Sequence, residues 1–145
     1  MKKIVALTIA VIMIFSAVNV FAEEYVTVKL DGAELQFEVP AQIIDDRTMV
    51  PMRNIFEALG AKVEWDEEHQ GIMAFAGHKI ITMMIGQNKM FVADFTTGKE
   101  TEVYLDVPPM LVDNKTLVPL RAVSESLGVK VEWSEALQTV YLSSK

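Results

Sequence analysis

The chain has 145 residues, a formal net charge of −7 and no cysteine, and 51% of its residues are hydrophobic. An acidic surface repels nucleic acid and anionic lipid headgroups, so we expect neither as a partner. Without cysteine the chain can form no disulfide and carry no bacterial lipoprotein anchor, and its fold must depend on core packing.

The N-terminal segment has the pattern of a secretory signal peptide. Lys2 and Lys3 precede an apolar run from Ile4 to Phe15, and Val20-Phe21-Ala22 resembles a signal-peptidase site before Glu23. A membrane anchor, the alternative, needs roughly 20 apolar residues, and this run is at the short end of that length. We therefore predict that residues 1–22 are removed on secretion and that no membrane segment remains. The remaining residues, 23–145, have a length typical of one domain.

Patterns of period two predict strands in the rest of the chain. Alternating apolar residues on both sides of Asp31-Gly32 predict a β-hairpin within residues 25–39. Further strands are predicted over residues 71–76, 79–85, 89–92, 102–107 and 139–142.

Two short helices are predicted among these strands. Pro51 and Pro119 suit the first helical position, and Gly60 and Gly128 suit the left-handed residue after a helix end. The combination predicts an α+β fold with antiparallel strands packed around two short helices.

The predicted helices lie in an internal repeat. Residues 39–67 and 107–135 align without a gap at an offset of 68 residues, with 15 identities in 29 positions. A unit of about 60 residues would be marginally stable alone, so we predict that the two copies share one core.

The repeated motif is specific to one family. The first copy reads RTMVPMR and then EALGAKVEW, and the second reads KTLVPLR and then ESLGVKVEW. Over nearly all of residues 25–143 the sequence resembles the copper amine oxidase N-terminal-like domain, a stalk-type domain of secreted and cell-surface proteins of Gram-positive bacteria. The resemblance implies an antiparallel sheet around helices, in an accessory domain outside the catalytic part of the enzyme.

The residue inventory does not support copper amine oxidase chemistry. The oxidase site that the family name suggests uses three histidines and a tyrosine-derived quinone, whereas this chain has only His69 and His78. The sequence also has no Gly-x-Ser-x-Gly motif, no cysteine nucleophile and no phosphate-binding glycine loop. We predict that the protein is not an enzyme and uses no cofactor. A hydrolase with paired carboxylates is a further hypothesis, but the sequence singles out no such pair.

A small extracellular protein that binds copper or another metal is the main alternative. Imidazole and thioether groups suit copper(I), and they are present in His69, His78, Met49, Met52, Met83 and Met84. Leucines replace Met49 and Met52 in the second copy, which favours core positions for this pair. Met83 and Met84 are predicted to point to opposite faces of a strand. We therefore expect no metal site, with His69 and His78 as weak candidates.

The repeated arginines and tryptophans are candidates for either a structural or a ligand-binding role: Arg53, Trp65, Arg121 and Trp133. An arginine at a helix start opposes the helix dipole, and Arg before Glu is the weaker order for an i,i+4 pair. We therefore predict that each arginine has its partner elsewhere: strand backbone carbonyls or a carboxylate across the repeat junction, or an anionic ligand. Each tryptophan either closes the core with one edge exposed or forms a platform for sugar rings.

These patterns predict a non-catalytic binding or structural domain that is either secreted or associated with the cell surface. Its expected partners are cell-wall polysaccharide, a surface protein, or a second copy bound through an exposed sheet edge. No sorting motif precedes Lys145, so we expect the protein to act alone or with such a partner.

Overall fold

A computed structural model describes residues 25–145, and the predicted signal peptide lies outside these residues. The strands are β1 (Tyr25–Leu30), β2 (Ala33–Glu34), β3 (Ala41–Ile44), β4 (Arg47–Pro51), β5 (Lys62–Asp66), β6 (Gly71–Ala76), β7 (Lys79–Met84), β8 (Lys89–Asp94), β9 (Lys99–Tyr104), β10 (Met110–Val112), β11 (Lys115–Pro119), β12 (Lys130–Ser134) and β13 (Thr139–Ser143). The helices are α1 (Met52–Ala58) and α2 (Leu120–Ser126). Two short helices among mostly antiparallel strands confirm the predicted α+β class.

The strands form two sheets. One contains β10, β11, β4, β3, β1, β13 and β12 in this order, and β2 pairs with β1 at its side. The other is an antiparallel meander of β5 to β9. The pairing of β1 with β13 is parallel, which departs from the predicted antiparallel arrangement.

The central strands β4 and β11 run antiparallel, and Val50 lies opposite Val118. Both valines are fully buried. The two helices pack on this pair reciprocally, because α1 contacts β4, β11 and β5 while α2 contacts β11, β4 and β12.

One hydrophobic cluster contains buried residues from both sheets and both helices, among them Val28, Ile55, Ile81, Val123 and Leu142. The apolar faces predicted by the alternating patterns therefore meet in a common core. Neither helix of residues 25–145 has the length and hydropathy that a membrane span requires.

The helix ends follow the glycine prediction. Gly60 has φ +81 and Gly128 has φ +79, and each comes one residue after its helix cap, Leu59 or Leu127. The proline prediction was off by one residue. Pro51 and Pro119 end β4 and β11 and cap the helices, which begin at the next residue.

Other strand boundaries also differ from the prediction. The second strand of the first hairpin is only Ala33–Glu34, although residues 35–39 continue the alternation. Leu35 and Phe37 pack against the core but are not part of a strand. Alternating apolar residues indicate an extended segment with one buried side, and such a segment can be buried without pairing in a sheet. The strand predicted over 102–107 is β9, which begins at Lys99 and ends at Tyr104.

Two hairpins were missed, β3–β4 and β10–β11. Their turns place Asp45 and Asp46, and Asp113 and Asn114, at positive φ values of 48 and 63 in each case. Two consecutive left-handed residues are the hallmark of the type I′ turn, which matches the twist of a two-residue hairpin.

Two ion pairs connect the central hairpins to the segments that precede them. Arg47 at the start of β4 pairs with Asp106, which precedes β10. Lys115 at the start of β11 pairs with Glu38, which precedes β3, with Nζ 2.6 Å from Oε2. Each hairpin thus contributes a cation to the segment that leads into the other hairpin.

Candidate functional site

The described residues form a solvent-open cleft of about 860 Å³, here called the Trp133 cleft. Its walls come from the β3–β4 hairpin, the segment that follows β9, the first turns of α2, and the β12–β13 hairpin. Its polar and aromatic lining includes the side chains of Arg47, Tyr104, Asp106, Arg121, Glu125, Trp133, Glu135 and Gln138. The volume lies within the range of about 300–1,000 Å³ that is usual for small-molecule sites.

Trp133 is one of the two aromatic residues that line the cleft, together with Tyr104. It lies on β12 opposite Val140 of β13, so it is on the same sheet face as this buried valine. The residue is 37% exposed. The tryptophan therefore shares a sheet face with a core residue and lines the cleft while it remains partly exposed.

Trp65 has the same local sequence but different surroundings. It lies on β5 opposite Ile72 of β6 and is 36% exposed. It does not line the Trp133 cleft. The two tryptophans are thus matched in exposure and strand environment but differ in their access to this cleft.

Both repeated arginines have a local carboxylate partner, and one of them also has a partner on a strand. Arg53 pairs with Glu57 at 3.6 Å, and Arg121 pairs with Glu125 at 3.0 Å, both one helical turn away. Only Arg121 also reaches a strand carbonyl, that of Val131 on β12, at 3.4 Å. Arg121 thus has the predicted strand carbonyl as a partner beyond its helix. Arg53 has its carboxylate partner one turn away on an exposed helix face, where the unfavourable dipole is weakly felt.

The Arg47–Asp106 pair forms another part of the wall. Arg47 donates from Nε to Asp106 Oδ2 at 3.0 Å and from Nη2 to the same oxygen at 2.5 Å. Because a guanidinium group is planar, two bonds to one carboxylate fix its orientation. The pair therefore joins the β3–β4 hairpin to the segment after β9 and defines one side of the cleft.

Gln138 anchors the β12–β13 turn beside the cleft. Its Nε2 donates to the carbonyl of Glu135 at 2.9 Å, and its backbone has φ 46. Within the described residues, Oε1 is buried and has no hydrogen-bond partner. Glu135 itself is exposed on the same turn.

The candidate metal ligands are not brought together. His69 precedes β6 and His78 follows it, so the strand holds them at opposite ends. Each has a carboxylate neighbour: Asp66 Oδ2 is 2.7 Å from His69 Nδ1, and Asp94 Oδ2 is 3.7 Å from His78 Nε2. The hydrogen bond from His69 holds the pKa of Asp66 below its usual range. In residues 25–145 no three His, Cys, Asp or Glu side chains form a metal-binding group.

The methionines behave as core and surface residues of a sheet. Met49, Met52 and Met83 are buried, whereas Met84 is 41% exposed. The opposite orientations of Met83 and Met84 confirm the prediction for this pair. The donor set of the described residues therefore does not fit a copper site.

Sequence reasoning identified Arg121 and Trp133 but missed the other residues of the cleft. Tyr104 and Asp106 are in no motif, and they approach α2 and β12 only through the strand order. Gln138 lies in the β12–β13 turn, beyond the repeated sequence. Only Glu135 among the missed cleft residues had a signal in the sequence, because the two aligned copies both end with a glutamate, Glu67 and Glu135.

The comparisons with known proteins agree with the motif. Residues 29–142 match the copper amine oxidase N-terminal domain. No curated protein is similar enough to this chain to count as a match. This N-terminal domain is of a non-catalytic type and is separate from the domain that performs oxidase catalysis. Since the match extends over most of the chain, the protein belongs to the copper amine oxidase N-terminal domain family.

Proposed function

We propose that the protein is a non-catalytic binding domain, secreted or held at the cell surface, whose Trp133 cleft binds cell-wall glycan. The observation that carries the proposal is the position of Trp133, which is 37% exposed and lines a cleft of about 860 Å³. A sugar ring has an apolar C–H face that packs on an aromatic ring and hydroxyl groups at its edge that need polar partners.

The polar groups around Trp133 meet the second requirement. Arg121 and Glu125 lie on one wall, and Arg47 and Asp106 lie on another. Arg121 is hydrogen-bonded to Glu125, and Arg47 is hydrogen-bonded to Asp106. These bonds orient the four side chains, whose remaining donors and acceptors can bind hydroxyl groups. An aromatic floor with polar walls therefore favours a glycan over a purely apolar ligand.

The domain that presents this cleft is, in our proposal, a duplicated unit. The two copies, offset by 68 residues, form one domain over residues 23–145 rather than two. The opposition of Val50 to Val118 supports this, because these valines occupy the same position in the two copies. The reciprocal pairs Glu38–Lys115 and Arg47–Asp106 support it further.

The proposal of secretion depends on residues 1–22, whose sequence has the pattern of a cleaved signal peptide. Export would place the cleft in contact with the polymers of the cell wall.

Co-sedimentation with isolated Gram-positive cell walls tests the binding function. We expect the protein to be retained in raised salt and after removal of teichoic polymers, because packing on Trp133 is not screened by ions. Trp133→Ala should abolish retention, and Trp65→Ala should not. Absence of retention under every condition would contradict glycan binding and direct the search to a protein partner or self-association.

A further inference from the structure

The charge of the Trp133 cleft indicates which glycans it selects. Its lining contains the acids Asp46, Asp106, Glu125 and Glu135 and the arginines Arg47 and Arg121. Four acids and two arginines give this lining a net charge of −2.

Both arginines of the cleft are already bound to its own carboxylates. Arg47 is held by Asp106, with Nε at 3.0 Å from Oδ2, and Arg121 Nη1 lies 3.0 Å from Glu125 Oε1. The arginines are therefore poorly placed to attract an anionic ligand, which was one function considered for Arg121.

The excess negative charge belongs to Asp46 and Glu135. Among residues 25–145, no ion pair within 4.0 Å involves either carboxylate. Glu135 is exposed and lies two residues after Trp133, where the chain turns between β12 and β13.

Two aromatic residues accompany these acids. Trp133 is 37% exposed and Tyr104 is 72% exposed, and both line the cleft. The face of an aromatic ring attracts ammonium groups, and tryptophan does so most strongly. A nearby carboxylate adds Coulombic attraction that is stronger in a cleft than in bulk water.

On the basis of the glycan-binding function above, we propose that the Trp133 cleft selects glycans that carry free ammonium groups. De-N-acetylated amino sugars have this chemistry. In this arrangement the ammonium group lies near Glu135 while the sugar ring packs on Trp133.

Two oligosaccharides of equal length test the selection: β-1,4-linked N-acetylglucosamine and its fully de-N-acetylated form. They share a backbone and differ in acetylation and charge. Calorimetric titration of the full-length protein should show roughly tenfold tighter binding of the de-N-acetylated form. The preference should decrease as salt is raised, because exposed charges are screened.

Glu135→Gln and Glu67→Gln form a matched pair of variants. Both residues are exposed, and they occupy the same position in the two sequence copies, but only Glu135 lines the cleft. Glu135→Gln should reduce the preference several-fold, while Glu67→Gln, which removes the same charge, should preserve it.

Equal binding of the two oligosaccharides, or tighter binding of the neutral one, would overturn this inference and leave glycan binding standing. An equal loss of preference in both glutamine variants would also overturn it, because the attraction would then come from the net charge of the protein. If neither oligosaccharide binds, the inference is also overturned. The proposed function is tested separately, by retention of the protein on cell walls.

Discussion

Val50 and Val118 face each other at the centre of the β4–β11 pair, and both are fully buried. They occupy the same position in the two copies of the repeated sequence. Two strands of equivalent sequence therefore pair with each other in the interior, where each supplies half of the surface on which the helices pack.

The first prediction concerns the energy of this contact. Val50→Ala and Val118→Ala should each lower the free energy of unfolding by about 2 kcal/mol, because each removes buried methyl groups and leaves a cavity. The double variant should depart from additivity by at least about 0.5 kcal/mol, since the residues share one site. Urea unfolding of the four proteins measures both quantities. Strict additivity would show that the valines do not pack as a unit.

A second prediction concerns Ser124 on α2. Its hydroxyl is fully buried and, within the described residues, has no hydrogen-bond partner. Ser124→Ala should raise the free energy of unfolding by roughly 1 kcal/mol, because an unsatisfied buried polar group is removed.

Ser126→Ala on the same helix is the control, since Ser126 is only partly buried. Both substitutions gain helix propensity, so the difference between them isolates the buried hydroxyl. A Ser124→Ala protein no more stable than Ser126→Ala would mean that the hydroxyl is satisfied.

The third prediction tests the backbone at the end of α2. Gly128 has φ +79, and a Cβ there would meet no atom within 4 Å. Gly128→Ala should therefore destabilise the protein by about 1 kcal/mol through backbone strain alone. Gly71→Ala is the control, because Gly71 lies in β6 without positive φ and its Cβ would make ordinary contacts of 3.7 Å. Thermal unfolding should show a lower midpoint for Gly128→Ala only.

The fourth prediction is the response to acid at the Glu38–Lys115 pair. The hydrogen bond and charge of Lys115 hold the pKa of Glu38 below its ordinary value of 4.5. The folded protein thus binds this proton less readily than the unfolded chain does, so the pair stabilises the fold above about pH 4.5. That contribution is lost as pH falls through the lower, folded pKa.

Glu38→Gln should flatten the decline in stability below pH 4.5 and leave the rest of the profile similar. Denaturant titrations at a series of acidic pH values provide the measurement. A variant with the same acid slope as the parent protein would show that Lys115 does not perturb Glu38.

The sequence predicted those parts of the fold that local chemistry determines. Gly60 and Gly128 mark the helix ends because the left-handed conformation is a local requirement. The β3–β4 and β10–β11 hairpins were missed because Asp45-Asp46 and Asp113-Asn114 form the turns without glycine, the usual signal.

The cleft was only half predicted for a different reason. Trp133 and Arg121 stood out because they are repeated, but Trp65 and Arg53 are repeated too and do not line the cleft. The two copies differ in their tertiary surroundings. The segment after β9 lines the cleft together with α2, and its position depends on strand pairings between distant residues.

The chain has two tryptophans, so each can be observed alone. In Trp65→Phe the fluorescence comes from Trp133, and in Trp133→Phe it comes from Trp65. Titration with soluble cell-wall glycan fragments should change the emission of Trp65→Phe in a saturable way and leave that of Trp133→Phe unchanged. A saturable change only in Trp133→Phe, or no change in either protein while cell walls still retain it, would contradict glycan binding at the Trp133 cleft.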